Sequence, residues 1–392
     1  MFFLFCFLLP TQLGKHFFLG FSYITGIRID YLAPTLYLTD LFAFLLIFSY
    51  LKIVLRFFKK KVFIILIILF FINAFFSLSL PLFFYRIVKI MEVISLFAIF
   101  KSEYGTYKKS VILGLATGVV FQVPLVMGQL VFKHSLQGVW YLFGERFFSP
   151  STPGIAKASL QGNEILRPYG TFSHPNSMAG FFLLIYLFFL THKQITNTVF
   201  KYGVLMLCSF MIFFSFSKNA IFVFLFLNLL FLILKKQSCR ICTLASLLVP
   251  GVLAIVFLSA QTDLLSIPKR LTLFSQAITL LSKHPLFGVG LGNYLLAQSS
   301  FPIKYPYFFL QPVHNIFLLF IVETGLIISS VVLYCLLLFL KTIKNNAPAL
   351  IVVLGIMLTG LNDHYWVTLQ QNLLLSGVLL GIVVYNINGK TS

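Results

Sequence analysis

The chain has 392 residues, 59% of them hydrophobic and 10% charged, with a mean hydropathy of +0.99. Soluble domains carry about 25% charged residues, so this composition excludes an ordinary soluble domain and points to a chain that crosses a membrane many times. The formal charge is +20, from 29 Lys+Arg against 9 Asp+Glu. The cations sit in short loops between apolar runs, so the excess fits lipid head groups or a phosphorylated lipid better than nucleic acid.

The apolar runs are continuous rather than alternating, which predicts helices and not barrel strands. The expected fold is an all-α, polytopic bundle of about twelve transmembrane helices, forming a single domain over residues 1–392. The first span falls near 2–21, broken at Pro10. Others follow near 35–51, 62–80, 83–100 and 110–132. A long polar segment covers 133–174. Four closely spaced spans come next, near 175–191, 198–216, 218–234 and 241–260, and a second long segment covers 261–311. The last three lie near 313–340, 348–362 and 369–387. The run 313–340 exceeds what one crossing needs, so it is expected to tilt or project.

Lysines and arginines mark alternate turns. Lys52, Arg56, Lys59, Lys60 and Lys61 crowd one. Lys101, Lys108 and Lys109 occupy another, followed by Lys193 and Lys201, then Lys235, Lys236 and Arg240, then Lys341 and Lys344. With twelve spans these turns and both termini share one side, which the positive-inside rule makes cytoplasmic. Both long segments are then external, as is the short turn Ser217-Lys218-Asn219. His16, His134, His174, His284, His314 and His364 also fall outside, and only His192 inside. A basic, histidine-bearing outer face suits chemistry on an anionic substrate, and pairing with lipid phosphates is the competing explanation.

The five cysteines supply no zinc set. Cys239 and Cys242 have CxxC spacing, but no second pair or nearby histidine completes it. Met1 to Leu9 is apolar from the start, so no cleavable signal peptide is expected.

The densest polar stretch is Arg167-Pro168-Tyr169-Gly170-Thr171-Phe172-Ser173-His174-Pro175-Asn176, directly before an apolar run. Proline is tolerated in a first helical turn, so this predicts a loop ending in a helix start, with His174 at the membrane surface. Three further outer pieces stand out. One is Ser217-Lys218-Asn219. Another runs from Arg270 to His284-Pro285-Leu286-Phe287-Gly288-Val289-Gly290. The last is His314-Asn315, which opens the run containing Glu323-Thr324-Gly325.

Together the four pieces resemble the O-antigen ligase/polymerase family, polytopic bacterial proteins that transfer glycan from a polyprenyl-diphosphate carrier. The resemblance covers about residues 160–385 and rests on R-x-x-G-T-F-x-H-P-N, a short S-R turn, Arg followed by H-P-x-x-G-x-G, and H-N with E-x-G. Here Lys218 stands where the family usually has arginine; lysine keeps the charge and loses the planar two-point grip.

The resemblance implies a membrane glycosyltransferase on the external face of the bacterial cytoplasmic membrane. Its partners would be a polyprenyl-diphosphate-linked glycan, a glycan, lipid or protein acceptor, and membrane lipids. Arginine forks suit phosphate, so Arg167 and Arg270 are candidates for the diphosphate. Lys218, His174, Asn176 and Asn315 are further substrate-binding candidates. Histidine titrates near neutral pH, and His314 is the candidate base that takes the acceptor proton. No DxD pair accompanies these residues, and Gly288 to Gly292 lacks the ending of a phosphate loop, so neither metal nor nucleotide cofactor is expected. Asp363-His364 could orient a substrate or a partner residue, or be solvated loop.

Two acids fall within spans. Glu323 lies about 13 Å along a helix from His314 and on its opposite face, so packing or pocket polarity is its expected role. Glu92 is expected to pair with Lys89 at i,i+3. The alternative function is a transporter or flippase for a lipid-linked anion. Transporters usually show repeats and broken midplane helices, whereas the polar residues here gather at outer ends.

Overall fold

A computed structural model of the chain describes residues 1–192, 195–235, 251, 254–261, 266–302 and 310–388. Cys239, Cys242, Lys193, Lys236, Arg240, Lys304 and most of the expected span 241–260 lie outside the described residues.

The fold is helical, as the continuous apolar runs require. Among the described residues three helices are long and apolar enough to cross a membrane: α5 (Leu80–Phe132), α11 (Ile316–Ile343) and α14 (Gln370–Asn388). Helices α2 (Leu38–Ser49) and α3 (Leu51–Phe58) bend by 83° and make at most one broken crossing. Helices α4 (Lys61–Ala74), α6 (Pro175–Thr191), α7 (Thr198–Phe214), α8 (Lys218–Lys235) and α12 (Ala347–Gly360) are apolar but shorter. At 17 residues, α6 and α7 sit at the lower edge of what a crossing needs. The expected twelve spans therefore exceed what the helices establish. Outward-facing Phe48 (73% exposed), Phe75 (76%) and Met206 (74%) fit a lipid-facing surface rather than a watered one.

The first expected span needs correction. Helix α1 (Phe2–Leu8) stops at seven residues, before Pro10, and residues 11–37 form small ladders instead. Strand β1 (Gly14–His16) pairs antiparallel with β4 (Thr35–Tyr37), and β2 (Tyr23–Ile24) with β3 (Ile27–Arg28). The two-residue link Thr25-Gly26 has positive φ at both positions, the turn whose twist suits a tight hairpin. Strands β5 (Lys157–Leu160) and β6 (Asn163–Leu166) repeat that design around Gln161-Gly162.

Helix α5 has 53 residues, about 80 Å if straight. It is not straight. Tyr107 leaves helical geometry, and Lys89 and Gln122 are joined through a short chain of contacts. Lys89 binds Asp40 (2.6 Å), Asp40 accepts from Gln370, the neighbouring Gln371 donates to the Thr171 carbonyl (3.2 Å), and Gln122 donates to Thr171 Oγ1 (2.9 Å). A straight helix would separate Lys89 and Gln122 by about 50 Å. The two halves thus fold back at Tyr107, close to the expected spans 83–100 and 110–132. The expected i,i+3 pair of Lys89 with Glu92 is present at 3.7 Å, and Asp40 lies closer to the same ammonium, at 2.6 Å.

Helix α6 is buried nearly all round from Ser177 to Phe189. A helix apolar on every side belongs inside a bundle, and α6 packs against α7, α12 and α14. Its central place fixes where its N-terminal residues, His174 to Asn176, emerge.

The long run 313–340 is not one continuous helix: α11 is broken, with Gly325 at φ 75° and ψ 175°. The segment 285–289 fills the break. Leu326 N–H donates to the Pro285 carbonyl (2.8 Å), Ile327 N–H to Leu286 (3.3 Å) and Val289 N–H to Val322 (3.0 Å). A Cβ on Gly325 would lie 2.2 Å from the Leu286 carbonyl oxygen, so this conformation needs glycine. Asn73 on α4 locks the joint, donating to the carbonyls of Phe287 (2.5 Å) and Glu323 (3.1 Å).

The bundle has two chemically distinct ends. One holds the basic turns: Phe57 packs on Phe97, Tyr104 meets His192 (3.1 Å) and Lys201 donates to the His192 carbonyl (3.2 Å). Both described termini lie there, since Phe2 stacks on Tyr107 and Tyr385 packs on Tyr104. The opposite end gathers the motif residues.

Candidate functional site

The loop Arg167–Asn176 is held by two glutamines from the second half of α5. Gln129 Oε1 accepts the N–H groups of Tyr169 (2.9 Å) and Gly170 (2.8 Å). Gln122 binds the N–H and hydroxyl of Thr171, which also donates to the Pro10 carbonyl. Gly170 has φ 57°, and a Cβ there would lie 2.8 Å from Gln122 Oε1. The G-T-F step is thus a clamp: Gly170 makes the turn, Thr171 joins three elements, and Phe172 is fully buried.

Arg167 follows β6 and is 7% exposed. Its Nε donates to the Ser215 carbonyl (2.8 Å) and one terminal nitrogen to Asn176 Oδ1 (2.6 Å). Burial pulls its pKa down to about 10, with Tyr169 and Asp363 opposing, so it stays charged at neutral pH. His174 caps α6, its Nδ1 accepting the Asn176 N–H at 3.1 Å. Asn176 then hands the network on, donating to Asp363 Oδ2 at 3.0 Å.

Asp363 is the centre of the site and is 6% exposed. Its Oδ1 accepts the His364 N–H (2.8 Å) and lies 3.6 Å from His314 Nδ1. At that distance the Asp363–His314 contact is an approach rather than a made hydrogen bond, and His314 Nδ1 is buried without a partner. Burial would raise the Asp363 carboxyl, but the His314 ring outweighs it, with His364 and His174 adding; the group is held well below the usual carboxylate range. The His364 ring lies 5.1 Å from that of His314, and its Nδ1 meets Thr368 Oγ1 at 2.7 Å. Burial lowers the His364 pKa to about 3, against Asp363 and with His314, Arg270 and Arg86, which leaves it neutral at physiological pH. Crowding first and Arg167 second hold His174 below its ordinary value too, although its ring keeps an open edge.

Other motif residues converge on the same turn, 361–364. Asn315 caps α11 by accepting the Leu318 N–H (2.9 Å) and donates to the Leu361 carbonyl (3.1 Å). Arg270, on α9 (Ser266–Lys283), donates to the Asn362 carbonyl (3.1 Å). Asn219 donates to the Thr359 carbonyl (3.1 Å) and accepts from Asn362 (3.4 Å), which brings the neighbouring, exposed Lys218 to the rim. His284 is exposed and lies apart, and its motif serves the α11 break. Glu323 turns its carboxylate to the N–H groups of Gly292 and Tyr294, a structural task consistent with its separation from His314.

Asp363-His364 had been open in the sequence between an orienting role and solvated loop; both side chains are buried, so they are not solvated loop residues. The only sequence signal was an Asp-His pair in an otherwise apolar neighbourhood. His314, Asp363 and His364 also hold ligand atoms within 4.8 Å of one another, a set able to accept a metal ion.

The motif-bearing end therefore joins the buried Arg167 and the rim cations Arg270 and Lys218 to an aspartate–histidine pair. Residues 203–333 match the family model for O-antigen ligase. Over that stretch the chain is similar to the O-antigen ligase family. No curated protein matches the chain. The O-antigen ligase match includes Lys218, Arg270, His314 and Asn315, but neither Arg167–Asn176 nor Asp363-His364. Those outer pieces are tied to the matched region by the hydrogen bonds above.

Proposed function

We propose that the protein moves glycan from a polyprenyl-diphosphate carrier to an acceptor hydroxyl, in the manner of an O-antigen ligase or related polymerase, on the external face of the bacterial cytoplasmic membrane. The observation that carries this reading is the convergence of Asn176, Arg270, His314 and Asn315 on the one turn built around Asp363.

In the proposed reaction the acceptor oxygen attacks the anomeric carbon of the carrier-linked sugar. His314 takes the hydroxyl proton. The bond from that carbon to the phosphate oxygen breaks, and its electron pair leaves with the carrier diphosphate. Asp363 faces His314 Nδ1, so the opposite ring nitrogen is the one offered to the acceptor. The carboxylate orients the ring and stabilises the imidazolium, and its 3.6 Å approach is of the kind that tightens when substrate binds. Arg270 and Lys218 stand at the rim and receive the diphosphate charge. Arg167 was a diphosphate candidate, but its guanidinium is engaged by Ser215 and Asn176. Its role in this reading is to hold Asn176, and through it Asp363. His174 holds the same turn of α6.

The orientation rests on the segregation of basic turns to one end. A reporter fused after Lys201 should read cytoplasmic and one near Gly162 or Pro302 external; the reverse pattern would put the site on the wrong side for a carrier-linked glycan. The flippase reading gains one observation, the broken helix α11. That break is closed by backbone pairing with 285–289 rather than left open to a substrate path, so the transferase is favoured.

The mechanism needs no metal. Both Asp363 oxygens and His364 Nδ1 already have protein partners. Transfer in washed membranes should survive EDTA. Loss of transfer that added divalent ion restores would reassign His314, Asp363 and His364 as ligands.

A further inference from the structure

Beside the aspartate–histidine pair lies a cleft of about 420 Å³, within the usual range for small-ligand sites. Its walls come from the N-terminal ladders, the first half of α5, the segment 141–155, the loop residues Tyr169 to His174, and Thr368-Leu369, none of which belongs to the family-matched region. Tyrosine is the commonest residue type in the lining, with Tyr31, Tyr85 and Tyr141 among the examples. A tyrosine offers an electron-rich face and a polar tip. A sugar ring is complementary, with C–H groups on its faces and hydroxyls on its edge. Gln12 adds a buried carbonyl oxygen that has no hydrogen-bond partner, while its amide donates to Ser173 (2.5 Å).

The charges in the cleft are asymmetric. Glu145 is taken by Gln129 and by the N–H groups of Leu136 and Gln137, and Asp30 is paired with Arg28 at 3.1 Å. The cations are Arg86 and Arg146. Arg146 is exposed and spends one N–H on the Ser173 carbonyl (3.0 Å), which leaves most of a five-donor fork facing the cleft mouth. This pattern suits a carboxylate on the ligand.

The cleft reaches the reaction centre along Tyr31, His174 and Thr368, and neither Arg270 nor Asn362 lines it. Tyr31 lines it and packs its ring against His364 at 5.6 Å, and Thr368 lines it while binding His364 Nδ1. Arg270 and Asn219 approach the turn from Asn362 instead. Displacement at a sugar carbon brings the attacking oxygen in opposite the leaving group. With the diphosphate at Arg270, the acceptor belongs on the Tyr31 side.

We propose that this cleft binds the acceptor glycan through an acidic, carboxylate-bearing sugar stacked on its tyrosines and held by Arg146; the acceptor role rests on the transferase reading. The test uses the purified full chain in nanodiscs and saturation-transfer NMR with two probes, a hexuronic-acid-containing disaccharide and its neutral counterpart. The acidic probe should show saturation at its ring C–H protons. Arg146→Ala should weaken its binding by about tenfold, and Tyr141→Ala, an exposed aromatic, should reduce the ring saturation. No saturation from either probe, or saturation unchanged in both cleft variants, would overturn the site; equal binding of the neutral probe would overturn the acidic sugar. Binding in the cleft by a protein that transfers no glycan would sink the transferase reading and leave the cleft standing, whereas transfer without probe binding would do the opposite.

Discussion

His314→Ala should lower transfer by about 10²–10⁴-fold, the usual cost of removing a positioned base, while carrier binding stays near that of the parent. Asp363→Asn should approach the same loss without removing any atom of the base. An amide has nearly the shape of the carboxylate but a single acceptor oxygen, so it can keep the His364 N–H or the Asn176 amide as a partner, and not both. What the amide lacks is the negative charge that orients His314 and stabilises its protonated form. Turnover should therefore fall with little change in carrier binding. The pH profile gives a second readout. Asp363 is held ionised and His364 neutral across the working range, so neither contributes a limb near neutrality. Any limb seen near neutrality therefore belongs to another group, and a limb set by the Asp363 charge should move in Asp363→Asn. Full turnover in His314→Ala, in protein that still inserts normally, would make the base assignment wrong; His174 and His364 would be the next residues to test.

Arg270→Ala should weaken carrier binding by about 10- to 100-fold, the equivalent of one lost charge-assisted interaction. Arg270→Lys should restore little of it, since an ammonium cannot span two phosphate oxygens as a planar fork does. Arg167 supplies the contrast. It is equally cationic, yet buried against Ser215 and Asn176, so Arg167→Lys should reduce turnover by loosening Asn176 and Asp363, with carrier affinity nearly unchanged. Binding of the labelled carrier and single-turnover rates on the purified variants separate the two arginines. If Arg270→Ala binds carrier like the parent, the outer cations are serving lipid head groups and the diphosphate grip is not at this residue.

Much of the site was legible because its pieces carry local constraints. Gly170-Thr171-Phe172 needs a turn, a hydroxyl and a buried ring in that order, and His174 and Asn315 are helix caps with recognisable neighbours. The ends of the bundle were legible from lysines that cannot sit in an apolar interior. Asp363 was not, because its importance comes from partners far away in the chain, Asn176 and His314, and an Asp-His pair in a loop has no periodicity to betray it. The N-terminal ladders were missed for a different reason. Phe17, Phe18 and Leu19 extend the apolar composition of α1, while the Thr25-Gly26 turn that folds the segment into a hairpin is a two-residue signal. Gly325 was read as part of a motif and not as a break, because one glycine inside an apolar run is ordinarily tolerated; the approach of Pro285 and Leu286 shows that it breaks the helix.

That break bears on how the protein is made. A helix interrupted at membrane depth leaves amide and carbonyl groups that lipid cannot satisfy. The groups that satisfy them at Leu326, Ile327 and Val322 belong to 285–289, and the amide that locks the joint belongs to Asn73. All of this chain leaves the ribosome before α11 does. The receiving surface thus exists by the time the broken helix is released sideways into the bilayer, and insertion of α11 can be completed without waiting for the C-terminal helices.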